Sequence, residues 1–248
     1  MLRTAAVFKI AILKSAGFAD SREGFIVGYF RSAIGRKQVM GATGIAWALF
    51  VLTHMLGNIL IFAGADVYNH YSYSLTSNPF IILAEAGLVV TLLFHVVDGF
   101  WLTVQNKYAR PIKAHQSSNG KKAARFQSKW MIYHGTILLV FIILHLITFK
   151  YGPAVTEGYT TTINGVQVRD LYRLVIEVFH QPGYVAWYTF CMIAIGFHLS
   201  HGFYSSFASL GFYHPKYSPW LSRFGYFYGA MIAIGFIAPP LYVFFVLR

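Results

Sequence analysis

The chain has 248 residues, of which 56% are hydrophobic, 18% aromatic and only 11% charged. A soluble domain carries about 25% charged residues, so this chain lacks the charge to cover a water-facing surface. Its apolar content excludes disordered and nucleic-acid-coating classes despite a formal net charge of +12. The single cysteine, Cys191, excludes a disulfide framework and the multi-cysteine iron–sulfur and zinc patterns.

In chain order, residues 1–40 form a basic arm carrying Arg3, Lys9, Lys14, Arg22, Arg31, Arg36 and Lys37. The apolar stretch after Arg3 faintly resembles a signal peptide, but Lys9 and Lys14 interrupt it. A basic amphipathic segment lying on the cytoplasmic surface is expected instead. Residues 41–248 then carry five membrane-length apolar runs, at about 41–63, 80–104, 131–149, 183–210 and 225–247. A hydrocarbon core of about 30 Å needs roughly 20 helical residues, and the runs do not alternate as barrel strands would. The fold class expected is all-α, an integral membrane bundle of five transmembrane helices. Four runs contain no Asp, Glu, Lys or Arg, and the second contains Glu85 and Asp98.

The connections orient these spans. Lys107, Arg110, Lys113, Lys121, Lys122, Arg125 and Lys129 sit in the second connection, and Lys216 and Arg223 in the fourth. The opposite side holds only Lys150, Arg169, Arg173 and Arg248. The positive-inside rule puts the N-terminus in the cytoplasm and the C-terminus outside. Within the third connection, residues 160–168 with Asn164-Gly165 at their centre predict a small hairpin.

Ionisable residues inside a span are functional candidates by default. His54, His95, His145 and His198 lie deep in the first four runs, one in each, and the fifth has none. Counting 1.5 Å per residue puts His54 and His145 at one height and His95 and His198 at another, about 12 Å apart. Zinc normally gathers three or four ligands. Haem is held by axial side chains from opposite faces, and two histidines leave no open iron position, which suits electron transfer. Gly99 and Gly202 each follow a histidine by four residues, one turn along the same face, where a missing side chain admits a macrocycle; close helix packing is the other reading of such glycines. His201 is one turn from His198 and is either a propionate partner or itself the ligand. His134 falls on the face of His145 and flanks the cytoplasmic-side pair.

These residues carry a resemblance. The run Gly41-Ala-Thr-Gly-Ile, continued by His54-Met-Leu-Gly57-Asn58, resembles the first helix of the cytochrome b subunit of diheme succinate:quinone oxidoreductases. His95-Val-Val-Asp98-Gly99 resembles the second helix of that family, Phe141-Ile-Ile-Leu-His145 the third, and His198-Leu-Ser-His201-Gly202 the fourth. Ser32-Ala-Ile-Gly35-Arg-Lys37 resembles the entry to the first helix, so the likeness covers about residues 32–247. It implies two b-type haems stacked in a four-helix cage with the fifth helix peripheral. His95 and His198 would ligate the cytoplasmic-side haem, and His54 and His145 the outer one. It also implies flavoprotein and iron–sulfur subunits on the cytoplasmic face and a membrane quinone such as menaquinone. The setting would be a bacterial-type cytoplasmic membrane, and the dicarboxylate chemistry would belong to the partner subunits.

The chain departs from this pattern in two places. Some fumarate reductases carry a glutamate two residues before the fourth ligand, where this chain has Gly196, so no proton return by that route is expected. Others use a glutamate at the outer end of the first connection; here Asp66, His70 and Glu85 are the proton acceptors available. Glu85 is expected to be protonated, paired or lining a quinone site, and Asp98 to belong to a network near the inner haem. Other readings are a diheme quinol-reactive subunit of a hydrogenase or nitrate reductase complex, and a histidine-relay transporter. Transporters usually carry inverted repeats and broken helices.

Overall fold

A computed structural model describes residues 28–108 and 122–247. The amphipathic segment expected before residue 28, and Arg110, Lys113, Lys121 and Arg248, lie outside the described residues. Among the described residues, five helices are long and apolar enough to cross a membrane. The protein is mostly helical and of the multi-pass membrane type.

Helix α1 spans Ala33–Ile59. It starts eight residues before the expected apolar run because Ser32 caps it: the extended Ser32 backbone lets its hydroxyl accept from the Gly35 amide at 3.1 Å. The last turn tightens at Leu60–Ala63. Gly64, at φ 95°, then turns the chain into a short helix α2, Ala65–Thr76. Helix α3, Ile81–Tyr108, runs back, and α4, Lys122–His145, returns. Both extend into polar sequence beyond the apolar stretch, since helix geometry ends at caps and breakers rather than where lipid ends.

The third connection folds into a cap. Helix α4 widens over Leu146–Lys150, and strands β1 (Thr160–Ile163) and β2 (Val166–Arg169) pair antiparallel from Thr160↔Arg169 to Ile163↔Val166. Asn164 (φ 51°) and Gly165 (φ 78°) make the tight turn, as an Asn-Gly pair favours. Arg169 reaches from β2 to the frayed end of α4. Its Nε donates to the Pro153 carbonyl at 2.8 Å and its Nη2 to that of Gly152 at 3.2 Å. Helix α5, Leu171–Phe179, follows. It buries Leu174, Val175, Val178 and Phe179 and presents charge elsewhere. It docks on α2 through Asn69, whose amide donates to Asp170 at 2.7 Å and accepts from the Tyr172 N–H at 2.9 Å.

Helices α6 (Pro182–Ser209) and α7 (Ser218–Phe245) complete the bundle. A Cβ added to Gly229 of α7 would collide with the Ser200 hydroxyl and the Gly196 carbonyl of α6, so the two backbones meet along a small-residue seam. Tyr228 of α7 donates to the Ala48 carbonyl of α1 at 2.5 Å inside the protein. The resemblance leaves the fifth helix peripheral. Here α7 is part of the core: Ile232 and Val243 are both 0% exposed. The buried apolar side chains therefore concentrate between α1, α6 and α7, among them Val51, Met55 and Leu199. In contrast, α3 buries only Asp98 and Leu102. The bundle thus has a hairpin end, capped by α2, β1–β2 and α5, and an opposite end marked by Arg36.

Candidate functional site: two histidine pairs

Helices that run in the same direction across the bundle, α1 with α4 and α3 with α6, bring the four deep histidines together two by two. At the hairpin end, His54 of α1 faces His145 at the end of α4, with ring centroids 5.8 Å apart and planes at 85°. Phe50, one turn before His54, stacks on its ring at 5.4 Å, and Phe236 of α7 stands 5.7 Å from it. The His145 ring is lined by Phe141 at 5.5 Å, and its Nδ1 lies 3.2 Å from the hydroxyl of buried Tyr188. At the Arg36 end, His95 of α3 faces His198 of α6, with centroids 6.2 Å apart and planes at 65°. Thr43 of α1 touches His95 Nδ1 at 3.3 Å. His198 Nδ1 is buried with no hydrogen-bond partner among the described residues.

The spacing has chemical content. Imidazole–metal bonds of about 2.0–2.1 Å, with each ring centre about 1 Å behind its nitrogen, put two axial rings about 6 Å apart. Both pairs stand at that span. Among the described residues, no group of three or more His, Cys, Asp or Glu gathers as a metal cluster. Among the described residues the four histidines therefore stand as two cross-helix pairs, each short of the three or four ligands that a zinc site gathers.

Glycines flank the rings of the Arg36-end pair. A Cβ on Gly44 of α1 would lie 3.4 Å from His95 Cε1 and 2.8 Å from Ser206 Oγ. A Cβ on Gly135 of α4 would lie 3.5 Å from His198 Cε1. Cβ atoms added to Gly99 and Gly202 would make ordinary contacts, with Met40 Sδ at 3.9 Å and Met131 Cε at 3.7 Å, and would touch neither histidine ring. His54 lies ten residues beyond Gly44 on α1, so the two pairs are about 15 Å apart along that helix.

No family model, curated protein or solved structure matches this chain.

The flanking ionisable residues separate into different environments. Asp98 is buried and accepts a 2.6 Å ion pair from Arg36, whose guanidinium also lies 4.5 Å over Trp101. Glu85 is paired with Lys150 at the half-exposed edge between α3 and the end of α4. Of the three alternatives for Glu85, the structure has the paired one. Asp66 and His70, four residues apart on the exposed face of α2, line a shallow groove with Tyr71 and Ser74. His134 is stacked on Phe197 of α6 at 5.8 Å, and its Nδ1 is buried without a partner among the described residues. His201 is half-buried, one turn along α6 from His198.

Sequence reasoning missed Arg36 as the partner of Asp98, and Thr43, Asn58 and Tyr188 as the groups that touch histidine nitrogens. It also missed Gly44 and Gly135, which lie on the neighbouring helices rather than one turn from a histidine. The spacing Gly41-x-x-Gly44 was a usable sign that one face of α1 is bare.

Proposed function

We propose that this chain is the diheme cytochrome b membrane anchor of a succinate dehydrogenase or fumarate reductase. It would carry electrons between an iron–sulfur partner on the cytoplasmic face and a quinone in the membrane. The observation that carries the reading is the pair of cross-helix imidazole couples, with ring centroids 6.2 Å and 5.8 Å apart. The donor set would suit haem: two imidazoles about 6 Å apart at each level, mostly buried surroundings and, at the Arg36 end, glycines beside both rings. His95 and His198 would hold one haem, and His54 and His145 the other. A haem with both axial positions filled supplies one-electron transfer without oxygen chemistry.

The chain's own residues do the rest. Helices α1 and α4 bring one pair of rings together and α3 and α6 the other, and aromatic rings from Phe50, Phe141 and Phe236 keep water from the hairpin-end pair. Arg36 neutralises Asp98, so no lone carboxylate is left beside the other pair. At the cap, Asp66 and His70 share an accessible groove and are the groups able to take up protons released by a quinol. Glu85, tied to Lys150, is a structural acid. In this reading the enzyme is the complex, with dicarboxylate chemistry on flavoprotein and iron–sulfur subunits docked on the basic Arg36 side. The membrane is the bacterial-type cytoplasmic one, the quinone menaquinone or a relative, and the cap lies outside.

The purified chain should give a reduced-minus-oxidised spectrum with b-type bands, and His95→Ala should remove about half of that absorbance, in keeping with one of two independently held haems. A chain without b-type bands would sink the proposal. Loss of both haems, or of neither, in His95→Ala would sink the pairing.

A further inference from the structure

Helix α1 aims one polar side chain at a histidine of each pair, and a backbone carbonyl dictates the direction of each hydrogen bond. The Thr43 hydroxyl donates to the Val39 carbonyl at 2.8 Å, with the Met40 carbonyl 3.2 Å away. A hydroxyl has a single proton. With that proton committed, Thr43 Oγ1 meets His95 Nδ1 at 3.3 Å as an acceptor, so Nδ1 carries a proton. A neutral ring protonated on Nδ1 has its lone pair on Nε2.

Asn58 leads to the same tautomer from the other side of a ring. Its Nδ2 donates to the His54 carbonyl at 2.9 Å, and its Oδ1 accepts from the hydroxyl of Tyr68 at 3.3 Å. These two partners settle which end of the amide is N–H. The same Nδ2 lies 3.4 Å from His54 Nε2. An amide nitrogen only donates, so Nε2 accepts and the ring proton is on Nδ1. Tyr68 comes from α2 and is buried, which ties this assignment to the docking of the cap.

We infer that α1 sets the tautomer of one histidine in each pair, Thr43 for His95 and Asn58 for His54, so that Nε2 is the unprotonated nitrogen of both rings, in His54 the one to which Asn58 donates. Thr43 and Asn58 are positioning residues that act through the imidazoles. The consequence for metal ligation rests on the proposed function, but the tautomers do not. His145 and His198 lack such a fixed partner: Tyr188 can donate or accept, and His198 Nδ1 has none among the described residues. Each pair would therefore combine one preset ring with one adaptable ring.

The test is nitrogen NMR on the full-length chain with ¹⁵N-labelled histidines, in lipid bilayers and without added haem. The expected result is a protonated Nδ1 and an unprotonated Nε2 at both His54 and His95. Thr43→Val should shift the His95 signals alone, Thr43→Ser should restore them, and Asn58→Leu should shift the His54 signals alone. A proton on Nε2 of either ring overturns the inference for that ring, and the unaltered chain decides this even if a variant fails to fold. In the haem-loaded chain, Thr43→Val should raise the midpoint potential of one haem and leave the other unmoved. A ring whose N–H has lost its acceptor is a weaker base and stabilises ferric iron less. Expected tautomers without b-type bands would end the haem reading and leave this inference standing. Bands in a chain whose free rings carry Nε2–H would do the reverse.

Discussion

Arg36 and Asp98 show how one ion pair is made tolerable near a lipid-facing bundle. The aspartate is 7% exposed and the arginine 20%, so the carboxylate depends on its partner while the guanidinium still reaches the edge and the Trp101 ring. Breaking a buried pair from one side strands a charge, which costs far more than removing both partners. Arg36→Leu should therefore destabilise the chain by on the order of 3 kcal/mol, read as a lowered unfolding temperature in detergent. The double variant Arg36→Leu with Asp98→Asn should recover most of that loss. An Arg36→Leu protein as stable as the parent would mean that the pair is incidental. The pair was not legible from sequence because Arg36 and Asp98 are 62 positions apart, and only the register of α1 against α3 makes them meet.

The cap is the element whose stability answers to pH. Glu177 of α5 accepts from the Tyr159 hydroxyl and from Arg173 Nε at 2.8 Å. The Tyr159 hydrogen bond, then that of Arg173, holds the Glu177 carboxyl below its ordinary value. A depressed acid stabilises the folded form above its unfolded pKa, and that contribution disappears as pH falls through the lower folded value. The cap should therefore lose protection against hydrogen exchange as pH drops below about 4, starting in β1, β2 and α5, while the long helices stay protected. Glu177→Gln should flatten that response, and an unchanged profile in this variant would show that other groups govern the cap. The Asn164-Gly165 turn was readable because its positive φ angles need those residue types locally. Helices α2 and α5 were not, since each is short and gains its stability from burial against the other and against the bundle.

At the scale of the whole molecule, five spans with basic connections on one side predict an orientation. Cysteines at Thr161 in β1 and at Tyr217 before α7 would face opposite sides of a sealed vesicle, since those segments lie on opposite ends of the bundle. In cytoplasmic-membrane vesicles of native orientation, a membrane-impermeant thiol reagent should label Tyr217→Cys only after the membrane is opened and Thr161→Cys before it, if the positive-inside rule holds. The native Cys191 is buried and will not compete. The reverse pattern would turn the molecule over and move any soluble partners to the cap.

Membrane-length apolar runs, the hairpin turn and the matching heights of the histidines needed nothing beyond the sequence. Each follows from a fixed repeat, 1.5 Å per helical residue or two positive φ angles at a turn, and repeats can be counted along one chain. Contacts between chain-distant atoms had to await packing. Arg36 meeting Asp98, Gly44 flanking His95, Asn58 bridging Tyr68 to His54, and α7 entering the core all depend on how helices rotate about their own axes. Ridges and grooves of neighbouring helices choose that rotation collectively, and no single segment carries it.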